Sequence, residues 1–406
     1  MTVIICRSIL ALLAAALPAF AQNNLCDKVP QIMRQLADIT GMKIHHPVPC
    51  AFITKADVNK FLKERVHEVA KPEEIRAEEL TLKKFNFVPA DFDLAKNTVD
   101  LLTEQAAAFY DYNKKKMFIT ETDSAEPQEP VLAHELGHAL ADQNYNLAKF
   151  IKRGEKSDDG STARLAVMEG QATWLMSEFL ARQNGRSLKS SPSLVESMAK
   201  VSDSGGGDYP VFDNEPLYLR VTLVFPYSKG MLFQNAVEEH DGKQSFGEVF
   251  KKPPVSTQQI LHPEKYFSNV KPSDPKLPDV KLPHSYKPLV GGVLGELEHR
   301  ILIEQAANAK TADQIAPHWR GSNFALLEDK TAKRVVLFYA AEWDSEDAAR
   351  QYLAVYRTAM QRKWKKMTVS TNTPDVLTGE GDDGRFELRR SGGLVTSVEG
   401  LPAEIN

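Results

Sequence analysis

Apolar residues recur at helical spacing through much of the first 270 positions of this 406-residue chain, then give way to alternating patterns in the last hundred. Asp27–Thr40 carries a short helical pattern, followed by an extended piece around Pro47-Val-Pro49. An amphipathic helix starts near Thr54, with Lys55–Val69 strongly charged on one face. Pro89–Gln105 reads as another helix, with Asp91 and Asp93 near its start. Phe109-Tyr-Asp-Tyr112, a lysine turn and Met117-Phe-Ile-Thr120 read as a β-hairpin. Further helices are expected over Val131–Gln143, Thr162–Arg182 and Tyr227–His240, the last starting at the mark of Pro226. Between them, Ser187–Asn214, with Gly205-Gly-Gly207, is expected to be a mobile loop. Pro254–Tyr266 reads as a turn holding the preceding helices together, and Lys271–Pro288 as an extended connector.

The C-terminal part predicts a helix over Leu289–Ala309, strands at Asn323–Leu327 and Arg334–Ala340, and a long helix over Ser345–Lys366. Two more strands follow at Gly384–Leu388 and Gly393–Val398. This β-β-α-β-β pattern describes an α+β unit, packed on the helices or standing as a small domain, with no catalytic constellation of its own. His262, His284, His299 and His318 lack partners at ligand spacing and read as structural.

The chemistry concentrates in His134-Glu135-Leu136-Gly137-His138. Residues i and i+4 share a helix face, so both imidazoles can reach one metal ion. Glu135 lies about 100° round the helix, placed to take a proton from a water on the metal's open side. At 100° per residue His134, Glu135, His138 and Asp142 occupy one arc, while Leu132, Ala133, Leu136, Ala139 and Leu140 lie opposite. The helix is therefore expected to bury its apolar back and present its chemistry from the front. Such a site needs a third protein ligand and a fourth position left to water. Glu169, on the next helix among the small residues Ala166, Ala172 and Thr173, is the best candidate; Glu178, Asp158, Asp159 and Asp142 compete. Asp158 and Asp159 sit in a Lys/Ser/Asp/Gly stretch that looks like a solvated loop. Asp142 has two open roles: support for a ligand imidazole, or pairing with Lys149 or Arg153. An oxyanion stabiliser is assigned to Tyr227, in Phe225-Pro-Tyr-Ser-Lys-Gly230, with His240 farther along the same predicted helix.

The motif with a glutamate on the following helix resembles the gluzincin metallopeptidases, the thermolysin-like clan. Several segments are more closely similar to a little-characterised group of exported bacterial proteins of that clan. They include Ala108-Phe-Tyr-Asp-Tyr112, Leu132–Gln143, Met168–Thr173, Pro226–Gly230 and Pro253–Tyr266. The resemblance implies Zn2+ bound by His134, His138 and Glu169, with Glu135 as catalytic base, and a peptide or protein substrate. It also implies that the hairpin forms the cleft edge, where a peptide could add as a strand; a purely structural hairpin is the equal alternative. Thermolysin-like enzymes place an Asp four residues after the third ligand, where this chain has Thr173, and Asp142 could supply that support instead. The expected fold is therefore α+β, a predominantly helical zincin-like catalytic domain (101–288) followed by the C-terminal helix and α+β unit (289–406). A helical region (22–100) precedes them.

Net charge is −4 and no polybasic stretch is present, which argues against a nucleic-acid partner. Arg7, the apolar run Ser8–Leu17 and Ala19-Phe-Ala21 read as a signal peptide over 1–21, predicting an exported protein; a retained anchor is the alternative. No later stretch is long and apolar enough to span a membrane. Cleavage near Ala21 removes Cys6 and leaves Cys26 and Cys50, expected to form one disulfide in an oxidising compartment. Against the exported zinc metalloprotease stands a non-catalytic reading, a zinc-stabilised binding or envelope-maintenance protein that keeps the fold.

Overall fold

The computed structural model describes residues 25–54, 56–60, 71–105, 108–120, 129–155, 157–203 and 209–403. The signal peptide reading of 1–21 lies outside these residues, as does most of Lys55–Val69, of which 56–60 are helical. Helix α1 (Leu25–Thr40) buries Val29, Ile32, Met33, Leu36 and Ile39, the i, i+3, i+4 stripe that its spacing predicts. The expected Cys26–Cys50 disulfide forms and ties α1 to strand β1 (Cys50–Ile53). Closing a loop of this length stabilises by about 3 kcal/mol in the chain-entropy account. The hairpin pairs β2 (Ala108–Asp111) with β3 (Lys116–Thr120), and β1 joins in parallel on the far side of β3. Among the described strands, β2 is thus an outer one.

Helices α2 (Pro72–Lys84) and α3 (Leu94–Gln105) precede the hairpin. After it, α4 (Glu129–Tyr145) carries the histidine motif and packs on α1 and β2. The short α5 (Leu147–Gly154) leads into α6 (Asp158–Gln183), which packs on α4 and, more extensively, on α8 (Leu217–Asp241).

Four expectations are corrected in this region. Helix α6 begins at Asp158, four residues earlier than expected, because Ser157 caps it by accepting from the Gly160 N–H. Asp158 and Asp159 are therefore a first helical turn rather than a solvated loop, and Asp159 is buried. Within the supposed mobile loop lies α7 (Pro192–Asp203), with a short helix at Pro210–Asn214; 204–208 lie outside the described residues. Pro226 does not start a helix but lies inside α8, whose Tyr218, Leu219, Leu223 and Phe225 are buried. That apolar burial outweighs one lost backbone hydrogen bond. Pro254–Tyr266 is not a simple turn but two short helices, α9 (Thr257–Leu261) and Pro263–Phe267.

The C-terminal part is a seven-stranded antiparallel sheet in the order β4-β5-β6-β10-β9-β8-β7. Its strands are β4 (Tyr286–Gly292), β5 (Trp319–Asp329), β6 (Val335–Trp343), β7 (Thr368–Asn372), β8 (Val376–Gly381), β9 (Gly384–Ser391) and β10 (Leu394–Leu401). Helix α10 (Glu296–Ala306) follows β4, and α11 (Glu346–Lys363) follows β6. The expected helix over Leu289–Ala309 forms over Glu296–Ala306, while its first four residues belong to β4. Gly291 and Gly292 pair with Ala325 and Phe324, and the helix starts only after Gly295. β7 escapes the period-two pattern because it is exposed along its whole length, and β8 because one of its two alternately buried positions is a glycine, Gly379. One apolar core runs from the helices into the inner face of the sheet. The Lys271–Pro288 segment is extended as expected, and its Leu277, Val280 and Leu282 cover Val336, Phe338 and Val398 on the outer face.

Where α6 meets the C-terminal unit, Asp159 Oδ1 accepts from the Thr257 N–H (2.8 Å) and hydroxyl (2.6 Å), while Oδ2 is buried without a partner. Burial, reinforced by the charge of Glu298, pushes the Asp159 carboxyl up to about 7, and burial raises Glu298 as well. Glu296, on the same helix as Glu298, adds a third negative charge. The folded state thus keeps protons that the unfolded chain releases near its ordinary range. The stability from this cluster is fully present below about pH 4 and is lost as pH rises through 7. Asp159→Asn is expected to flatten the fall in stability between pH 5 and pH 8, which for one proton is up to about 1.4 kcal/mol per pH unit. Urea midpoints at the two pH values check this; equal slopes in both proteins would refute it.

Candidate metal centre

His134 and His138 project from adjacent turns of α4, and Glu169 from the middle of α6. The two helices lie directly against each other beside the motif: a side-chain carbon at Gly137 would meet Leu175 at 3.4 Å and Ala172 at 3.5 Å, ordinary van der Waals distances. Glu169 Oε2 lies 3.2 Å from Nε2 of His134 and 3.2 Å from Nε2 of His138, and the two Nε2 atoms are 3.2 Å apart. Tetrahedral coordination at 2.0–2.1 Å spaces ligand atoms about 3.3 Å apart, so the triangle fits a single ion of that size. Glu169 Oε1 is buried without a hydrogen-bond partner, as expected of a carboxylate whose natural counter-group is a cation. Among the described residues these three are the one group of His, Cys, Asp or Glu side chains able to share a metal ion, one ligand fewer than a closed tetrahedral site needs.

The charges in the group are strongly coupled. Burial lowers the His134 imidazolium below its ordinary range. Burial acts the same way on His138, but the Glu169 carboxylate outweighs it and raises that ring. Burial works against an ionised Glu169, yet the charge of His138 and hydrogen bonds from both imidazoles hold it down to about 2. Glu135 is pushed up to about 8, chiefly by burial. Its Oε2 accepts from the Tyr110 main-chain N–H at 2.8 Å. A divalent cation beside these groups favours the ionised carboxylates.

The competitors for the third ligand are engaged elsewhere. Glu178 holds Arg182, the Ser187 hydroxyl and the Leu188 N–H, and Asp159 holds Thr257. Asp142 supports neither imidazole by hydrogen bonding, nor does it pair with Lys149 or Arg153. It accepts from the Tyr110 hydroxyl (2.9 Å), Lys115 Nζ (2.6 Å) and the Leu147 N–H (2.9 Å). The Thr173 hydroxyl is buried and has no hydrogen-bond partner, so it does not replace the thermolysin-type Asp either. Tyr227 is buried in mid-helix with its ring stacked 6.0 Å from that of His134. His240 pairs with Asp241 and stacks on Phe267. His262, His299 and His318 are held by Glu296, Tyr339 and Asp344.

Two results depart from the expected face. The whole of α4 from Val131 to Asp142 is buried, its polar arc included, since β2 lies against that arc. The part played by Tyr110 also escapes the sequence, because a main-chain donor carries no residue signature. Its one trace is a hairpin placed just before the motif helix.

Comparison with protein families gives two matches. The M78 peptidase model, described as an IrrE N-terminal-like domain, matches residues 91–181, which hold the histidine motif and Glu169. A domain of unknown function (DUF8575) matches residues 288–405, the sheet unit. The first match spans less than a quarter of the chain and supports a peptidase-like, metal-binding domain. No curated protein and no solved structure matches.

Proposed function

We propose that this chain is an exported, zinc-dependent peptidase of the gluzincin type. The observation that carries the reading is the triangle of ligand atoms, with Glu135 one residue from its first corner. His134, His138 and Glu169 would hold the ion, each ring ligating through Nε2 and keeping its proton on Nδ1. When bound, zinc would lower the pKa of a water and polarise the scissile carbonyl. Glu135 takes the proton of the attacking water and returns it to the leaving nitrogen. The Tyr110 N–H engages Oε2, and no hydrogen bond from a described residue reaches Oε1, which leaves that oxygen for the transfer. Tyr227, stacked on His134, is the donor assigned to the developing oxyanion. Export is supported by the leader-like first 21 residues and by the Cys26–Cys50 bond, which belongs to an oxidising compartment.

A second reading, a non-catalytic zinc-stabilised binding protein, is favoured by the depth of the site. His134, Glu135, His138 and Glu169 are only 4, 1, 2 and 1 % exposed. Glu135→Gln separates the two. With zinc content equal, cleavage of a quenched peptide library is expected to fall roughly 100- to 10,000-fold in the variant. A wild type that binds zinc and cleaves nothing the variant spares would favour the second reading.

A further inference from the structure

A general base must be held at a fixed distance and rotation, and the group holding Glu135 is a main-chain N–H on an outer strand. Its position depends on what fixes β2 against α4. On one side β2 is paired with β3, Tyr110 lying opposite Met117. On the other, Tyr110 meets α4 at two points. Its N–H reaches Glu135, and its hydroxyl donates to Asp142 Oδ2 at 2.9 Å, seven residues farther along the same helix. Two turns of helix separate these anchors by roughly 10 Å, so together they set both the spacing and the tilt of the strand. Asp142 is itself fixed. Its Oδ1 accepts from the Leu147 N–H, and its Oδ2 also accepts from Lys115 Nζ at 2.6 Å. Lys115 is the left-handed residue (φ 54°) of the β2–β3 turn, so the strand and the turn of one hairpin converge on one carboxylate. Tyr110 and the Asp142 side chain are 1 % exposed, which shields the contact from competing water.

We infer that Tyr110 and Asp142 are positioning residues: the phenol–carboxylate bond locks the hairpin to the motif helix so that the Tyr110 N–H orients Glu135. The inference rests on Glu135 being the base of the proposed peptidase, but the lock itself can be read without activity. Tyr110→Phe removes only the hydroxyl and keeps the ring and the N–H. In the full chain loaded with zinc, amide exchange at residue 110 is expected to quicken about tenfold or more. Zinc stoichiometry is expected to stay the same, and kcat on a quenched peptide library to fall roughly tenfold with KM unchanged. Asp142→Asn is expected to produce the same pattern, and the double variant to add little to either single one. Unchanged exchange at residue 110 in Tyr110→Phe would overturn the lock. Faster exchange with kcat unchanged would overturn its positioning role. Loss of zinc in step with kcat would mean that Tyr110 serves the metal group rather than the base. If the wild type cleaves nothing, the peptidase reading and the positioning role fall together, while the exchange measurement still decides whether the lock exists. Should Asp142→Asn fail to fold, Tyr110→Phe alone carries the test.

Discussion

Replacing Glu169 with alanine is expected to lower zinc affinity by more than about 100-fold and to take hydrolysis with it. Changes outside the ligand shell already weaken metal binding by 10- to 100-fold, and this change removes a ligand. The variant leaves two imidazole nitrogens 3.2 Å apart without the carboxylate that both contact. Among the described residues no other His, Cys, Asp or Glu side chain is placed in the same triangle. Competition against a chromophoric chelator, run on wild type and Glu169→Ala, reads the affinity directly. A variant that holds zinc as tightly as the wild type would remove Glu169 from the site.

The second large effect lies one residue away, in the backbone. At position 170 an alanine methyl would sit well inside van der Waals contact with the carbonyl of Gly230, and one at Gly230 would meet the carbonyl of Ala166. Both clashes are with main chain, which cannot rotate aside as a flexible side chain would. Helices α6 and α8 therefore cross through these two glycines, and Gly170→Ala must push them apart. The cost is expected to reach about 3 kcal/mol or more, at the upper end of overpacking substitutions. The damage is directional, because Glu169 adjoins one glycine and Tyr227 stands three residues before the other. Zinc affinity should drop together with the urea midpoint. A variant that keeps both at wild-type values would show that the crossing has room to spare.

What the sequence made legible divides along a physical line. The motif helix, the Glu169 helix and the long C-terminal helix bury stripes or carry fixed side-chain spacing, and both signals survive in a linear string. The α+β class and the Cys26–Cys50 pair were readable for similar reasons. Features depending on the third dimension were not. Pro226 looked like a helix start because local propensity disfavours an internal proline, and only the burial of its neighbours reverses that. Asp158 and Asp159 looked like loop because a capped acidic first turn has the composition of a solvated one. Strand β4 is divided in the sequence between a connector and a helix because its ladder partner lies more than thirty residues downstream. In the site, the two histidines and Glu135 are legible from spacing, and Glu169 from its small neighbours on the next helix and from the family resemblance. The roles of Asp142 and Tyr110 were not, since one depends on a hairpin folding back and the other on a peptide N–H.

The most direct test of the metal centre is zinc-edge X-ray absorption on the full chain reconstituted with one equivalent of the ion. The account predicts a four-coordinate nitrogen and oxygen shell at about 2.0–2.1 Å, with the outer-shell scattering of two imidazoles and no sulfur. A chain that takes up no zinc, or a shell without imidazole scattering, would contradict it.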